Sequence, residues 1–145
     1  MFIGEGPGFH ENQQGKPFVG QAGKFLDELL SVAGLKREEV FITNVVKCRP
    51  PGNRDPLPDE LEACSIILNQ QIALIDPDII VTLGRFSMAK FFGPTKISMI
   101  HGKIKKINER YVVAIVSPSR CFTPASFKKH IIRRFFEIKE IFRRD

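Results

Sequence analysis

No apolar run in the 145-residue sequence approaches the ~20 residues that a membrane span needs, and the first residues lack the charged and apolar regions of a signal peptide. A soluble, intracellular and cytoplasmic protein is expected. Linkers, internal repeats and low-complexity segments are missing too. With 43% hydrophobic residues the chain is long enough for one core and too short for two ordinary domains, so residues 1–145 read as one domain. Cysteine is scarce: Cys48, Cys64 and Cys121 are odd in number and far apart, which argues against a disulfide framework. His10, His101 and His130 are scattered, and no pair has zinc-ligand spacing. Acidic residues are scarce at one end. From Lys96 onward 13 Lys and Arg face 4 Asp and Glu, whereas residues 1–95 carry 9 against 12. That asymmetry suits a polyanion such as nucleic acid, and equally a solvated helix face.

What the chain does have is an alternation of strand and helix signals. "MFIG" is a short apolar run ended by glycine. "GKFLDELLSVAG" repeats Phe25, Leu26, Leu29, Leu30 and Ala33 at helical spacing before Gly34. "EVFITNVV" is a β-branched run and reads as the second strand. The acidic "RDPLPDE" then opens a helix whose stripe is Leu61, Cys64, Leu68, Ile72 and Ile75. "DIIVTLG" has the unbroken apolar character of a central strand buried on both faces, and "RFSMAKFFG" is a short helix after it. "KIKKI" reads as a strand or connector and "YVVAIVSP" as the last sheet strand. A final helix carries Phe127, Ile131, Phe135, Ile138 and Phe142 on one stripe.

This order predicts a parallel α/β sheet covered by helices on both faces. The unusual residues then fall at C-terminal ends of strands: "GEGPG", "TNVVKCRPPGNRDP", "GR" and "SPSR". In an open parallel sheet those ends line one crevice, where a ligand is expected.

Each motif has a structural and a chemical reading. "GEGPG" has neither the spacing of a dinucleotide fingerprint nor the Lys-Ser/Thr of a phosphate loop; it is a tight turn around Glu5, or a place where a ligand approaches backbone amides. Asn44 is a satisfied strand-end amide, or a donor–acceptor pair that reads a nucleobase edge. Cys48 and Cys64 are 16 positions apart, with Cys64 on an apolar stripe, which favours core packing over metal ligation. Cys121 has no convincing catalytic neighbours and reads as structural.

Taken in order, "GEGPGFHENQQGKPFVGQAG", "FITNVVKCRPPGNRDP", "EACSIILNQQIALIDPDIIVTLGR" and a proline motif after the final strand resemble the family-4 uracil-DNA glycosylases, the iron-sulfur type of archaea and bacteria. The resemblance runs from Gly4 to about Ser119. It implies a three-layer α/β/α fold with a central, mainly parallel four-stranded sheet. It further implies that uracil in DNA is cut from its sugar to leave an abasic site, as in base-excision repair. Phe18 is then the ring that stacks on the flipped base and Asn44 reads its edge. Glu5, Gly6 and Glu11 belong to the motif that positions base and water. Ser117 stands where the family carries a histidine that donates to uracil O2. Arg49, Arg54, Arg85 and Arg120 are candidates for phosphate contact.

By the same resemblance Cys48 and Cys64 match two of the four ligands of a [4Fe-4S] cluster. The other two belong, in the family, to a segment ahead of the first strand that these 145 residues do not contain. Uracil-containing DNA is the expected partner and a monomer in a prokaryote-like cytoplasm the expected state. Ser117 and the missing cysteines keep an alternative open, a degenerate member that binds DNA without cutting it. A nucleotide-binding or polymerase-associated domain on the same sheet is a weaker third reading.

Overall fold

Neighbouring residues along each strand sort onto opposite faces of one sheet, as the two-residue period of a strand requires. In the computed structural model the described residues are 1–115 together with Lys129, Arg133, Phe136, Glu137 and Glu140, which are helical. Five strands pair: β1 (Phe2–Gly4), β2 (Ile42–Asn44), β3 (Ile79–Leu83), β4 (Ile104–Ile107) and β5 (Arg110–Ile115), in the order β2-β1-β3-β5-β4. The pairs β1–β2, β1–β3 and β3–β5 are parallel, and β4–β5 is antiparallel. The connecting helices are α1 (Phe9–Gln14), α2 (Gln21–Ala33), α3 (Pro58–Ile75), α4 (Arg85–Phe92) and α5 (Ile97–Ile100), with 3-10 turns at Arg37–Glu39 and Pro51–Asn53.

One face of the sheet, with Phe2, Val81, Leu83, Val113 and Ile115, packs against Phe25, Leu26, Leu29 and Leu30 of α2. The other face, with Ile3, Ile80 and Val112, packs against Leu68 and Ile72 of α3. Burial on both sides explains why β3 and β5 read as continuous apolar runs rather than alternating ones. Helix α2 stops where Gly34 turns left-handed at φ 68° and gives its N–H to the carbonyls of Leu30 and Ser31. Helix α3 starts at Pro58, with the Glu60 carboxylate accepting the Leu57 N–H at 2.9 Å.

The sheet has five strands, not the four that the resemblance predicts. The extra one is "KIKKI", which returns antiparallel to β5 through Asn108 and Glu109, both at positive φ (47° and 66°). That is a two-residue hairpin turn without the glycine that usually announces it. The run "EVFITNVV" contributes only Ile42–Asn44 to the sheet, because Glu39 closes a 3-10 turn and the chain leaves the strand after Asn44. Helix α1 falls on a polar stretch that carries no apolar period and buries none of its residues. The stripe from Phe127 to Phe142 lies outside the described residues.

Candidate active site

The register of β1 and β2 sets Gly4 directly beside Asn44, the last residue of each strand. At this C-terminal edge opens a cavity of about 730 Å³ whose wall includes Glu5, Gly6, Phe18, Asn44, Pro50 and Arg54. The strand-end motifs "GEGPG" and "TNVVKCRPPGNRDP" thus meet, and the Pro-Phe-Val-Gly segment joins them.

Gly4 is what lets them meet. A Cβ at this position would sit 2.5 Å from Asn44 Oδ1 and inside the contact surface of the Phe18 ring. Asn44 is 7% exposed, and its Oδ1 is buried with no hydrogen-bond partner among the described residues. Phe18 is 9% exposed and sits at φ 52°, a left-handed conformation rare for a bulky side chain. Its carbonyl presses so closely on Gly23 of α2 that no Cβ fits there.

Glu11 ties the same loop from the other side: its Oε1 accepts the N–H groups of Val19 at 3.1 Å and Gly20 at 3.0 Å. Burial pushes the Glu11 carboxyl up, but backbone N–H donors of Gly20, Glu11, Val19 and Gly8 together outweigh it and hold it below the usual carboxylate value. Glu5 turns toward α4, where its Oε1 accepts the Arg85 N–H at 3.1 Å. Gly84, at φ 108°, makes room for it: a Cβ there would lie 2.5 Å from Glu5 Oε1. Gly6 packs on Val46 in the same turn.

Beneath Asn44 a polar knot joins β2 to α3. Lys47 Nζ donates to Thr43 Oγ1 at 2.7 Å, to the Asn44 carbonyl at 2.7 Å and to Gln71 Oε1 at 2.6 Å. Burial lowers the Lys47 pKa, partly opposed by Cys64. The Lys47 backbone N–H points at Cys64 Sγ, 3.4 Å away.

Of the four arginines predicted to contact DNA, Arg54 lines the cavity, and Arg49 and Arg85 bond its lining residues Asn53 and Asp55, so that each of the three is engaged within the chain. Arg49 donates from Nε to Asn53 at 2.7 Å and stands 5.4 Å over the Phe9 ring. Arg54 pairs with Glu60 at 2.6 Å, and Arg85 pairs with Asp55 and covers Phe86. Ser117 and Arg120 lie outside the described residues, as does Cys121. Cys48 is exposed and Cys64 half-buried. Among the described residues no group of three or more His, Cys, Asp or Glu side chains is placed to hold a metal ion. Two thiols are half of a four-thiolate set, so the described residues do not by themselves fit a [4Fe-4S] cluster.

The sequence offers no sign of several partners: Arg37, which reaches the Pro17 and Phe18 carbonyls, the acceptor Gln71, and Phe9, which is 50% exposed beside Arg49. Each belongs to an element distant in sequence or to a polar stretch without periodicity, so only the fold brings them to the residues they support, and none of the three lines the cavity itself.

Comparison with known proteins identifies the family. The family model of the uracil DNA glycosylase superfamily matches residues 1–137. The type-4 uracil-DNA glycosylase of Sulfurisphaera tokodaii is 42% identical over 151 residues, covering 97% of this chain and 69% of the relative. That of Archaeoglobus fulgidus is 42% identical over 151 residues, covering 97% and 75%. That of Saccharolobus solfataricus reaches 54% identity over 112 residues, 77% of this chain and 51% of its own. With a family model that spans nearly all of its length and two relatives that match 97% of it across 69% and 75% of their own, the chain belongs to the uracil-DNA glycosylase superfamily.

Proposed function

We propose that this chain is a uracil-DNA glycosylase, a hydrolase that cuts the N-glycosidic bond of uracil in DNA and leaves an abasic site for base-excision repair. The observation that carries the reading is the buried Asn44 amide with its unpartnered Oδ1, set beside the Phe18 ring in the wall of the cavity.

The target atom is unreachable inside a duplex, so the nucleotide must leave the stack. In the cavity Asn44 Oδ1 accepts uracil N3–H while its N–H donates to O4. Cytosine presents an acceptor and a donor in the opposite order, and mismatched hydrogen bonds in a dry site are costly. Phe18 offers a ring face to the base. As the bond from C1′ to N1 breaks, the electron pair leaves with uracil and the sugar takes on oxocarbenium character. Backbone N–H groups of the Gly-Pro turn at Gly6 and the Ser117 hydroxyl stabilise the departing anion. Water, held by the turn that carries Glu5, adds its hydroxide to C1′, and its proton neutralises the uracil. Glu11 acts through the loop it ties, which holds Phe18 toward the base.

Arg49, Arg54, Arg85 and Arg120 are our candidates for phosphate contact, and the Asn53, Glu60 and Asp55 side chains that engage the first three yield to DNA on binding. We place the enzyme as a single-domain monomer in a prokaryotic cytoplasm. No helix among the described residues is long and apolar enough to cross a membrane. Cys48 and Cys64 are assigned as half of a cluster site. A [4Fe-4S] centre there needs two more thiolates than the described residues supply, and no step of the reaction is routed through it.

A labelled oligonucleotide with one uracil, beside thymine and cytosine controls, tests the function when abasic sites are cleaved with alkali. Breaks at uracil alone are expected. A folded protein that binds the DNA and leaves it uncut would instead establish the non-cleaving alternative.

A further inference from the structure

We infer that Arg37 is a positioning residue for uracil capture, fixing from outside the cavity the backbone that presents the Phe18 ring. The inference rests on the reading of Phe18 as the ring that stacks on the base.

Arg37 sits in the 3-10 turn between α2 and β2 and does not line the cavity. Its Nη2 donates to two successive carbonyls, Pro17 at 2.5 Å and Phe18 at 2.6 Å, while Nη1 donates to Asp27 of α2 at 3.0 Å. In extended backbone successive carbonyls point to opposite sides and cannot share one nitrogen. They converge here because Phe18 stands at φ 52°. The conformation that aims the ring and the pair of bonds to Arg37 are therefore one geometric state, and losing either releases the other.

Other contacts hold the remaining parts of this segment. Gly4 receives the ring, Gly23 receives the carbonyl, and Glu11 takes the N–H groups of Val19 and Gly20. Among the described residues only Arg37 bonds both carbonyls that flank the strained torsion. A planar fork with a charge suits this task, since its donors are fixed in direction and charge-assisted bonds are stronger than neutral ones. Asp27 keeps the fork in place on the same helix that carries Gly23.

Inhibition by free uracil reads this role directly, because it reports base capture and not phosphate contact. Arg37→Ala is expected to weaken that inhibition by about tenfold, the scale of one charge-assisted bond. Affinity for abasic-site DNA, held at the rim, should stay as it was. The deciding measurement is a double-mutant cycle with Phe18→Ala: once the ring is gone, Arg37→Ala should cause no further loss of uracil inhibition. Arg110→Ala, which removes the ion pair to Asp76 at the other end of the strands, serves as the control and should leave uracil inhibition unchanged.

Should Arg37→Ala fail to fold, Arg37→Lys keeps the charge near Asp27 and is expected to show a smaller loss that also vanishes with Phe18→Ala. Additive losses in the cycle, or unchanged uracil inhibition in folded Arg37→Ala, overturn the inference while the Phe18 reading stands. A wild-type chain that neither cuts uracil DNA nor binds free uracil overturns both.

Discussion

Asn44 holds a carbonyl oxygen out of water without a partner among the described residues. Such a group costs about 1–3 kcal/mol. Stability and function therefore pull in opposite directions at this side chain. Asn44→Leu, close in size and without polar atoms, is expected to hold or raise the melting temperature while kcat/KM on uracil DNA falls by about 10²-fold or more. Asn44→Asp replaces the N–H donor with an oxygen able to accept from the cytosine amino group, so the ratio of cutting at uracil to cutting at cytosine should narrow. Gly4→Ala tests the same corner: its Cβ would strike both Asn44 and Phe18. Activity should collapse even in preparations whose circular dichroism is native. The family resemblance implies that Ser117 takes the place of a histidine donor, and on that reading Ser117→His is expected to quicken cleavage by about tenfold or more, measured in single turnover.

Among the elements, the loop from Gly15 to Gly20 owes its shape to Glu11 of α1, whose carboxylate takes two of the loop's N–H groups. Because the folded carboxyl lies below its ordinary value, its contribution to stability is present above the unfolded pKa and is lost as pH falls through the folded one. Glu11→Gln should lower the urea midpoint at pH 7 and leave a shallower decline toward pH 3, with the two proteins converging at the acid end. Helix α2 was legible because its apolar residues recur at helical spacing and Gly34 ends it. Helix α1 was not, since a surface helix of polar residues has no period to read. β4 stayed ambiguous between strand and connector because Asn108-Glu109 lacks the glycine of a common hairpin. The Cys64 stripe placed α3 correctly, while the knot of Lys47, Thr43 and Gln71 beneath it depends on a crossing of elements that no local pattern encodes.

At the scale of the whole molecule, the alternation of strand and helix was enough to predict that distant motifs converge, and the parallel pairs β1–β2, β1–β3 and β3–β5 carry it out. Net charge was less informative than the partners of each charge, since Arg49, Arg54 and Arg85 all have counterparts within the chain. Exchange of those partners for phosphate makes a specific expectation: Asp55→Asn should tighten DNA binding and steepen its dependence on salt, read from the slope of log K against log salt concentration. Anaerobic iron and acid-labile sulfide analysis of this 145-residue chain should find less than four of each per molecule, because the described residues offer two thiolates. Four of each would show the set completed from outside them.

The antiparallel strand β4 has a further effect. It closes one side of the sheet with the sequence Ile-Lys-Lys-Ile, and Lys105 and Lys106 are both exposed. If the same strand of another molecule came alongside in antiparallel fashion about its centre, Lys105 would face Lys106 across the new pair, twice over, and like charges directly opposite repel. Growth of the sheet from one molecule into the next is thus discouraged along β4, which lets the protein be concentrated on a polyanion without its sheets joining there.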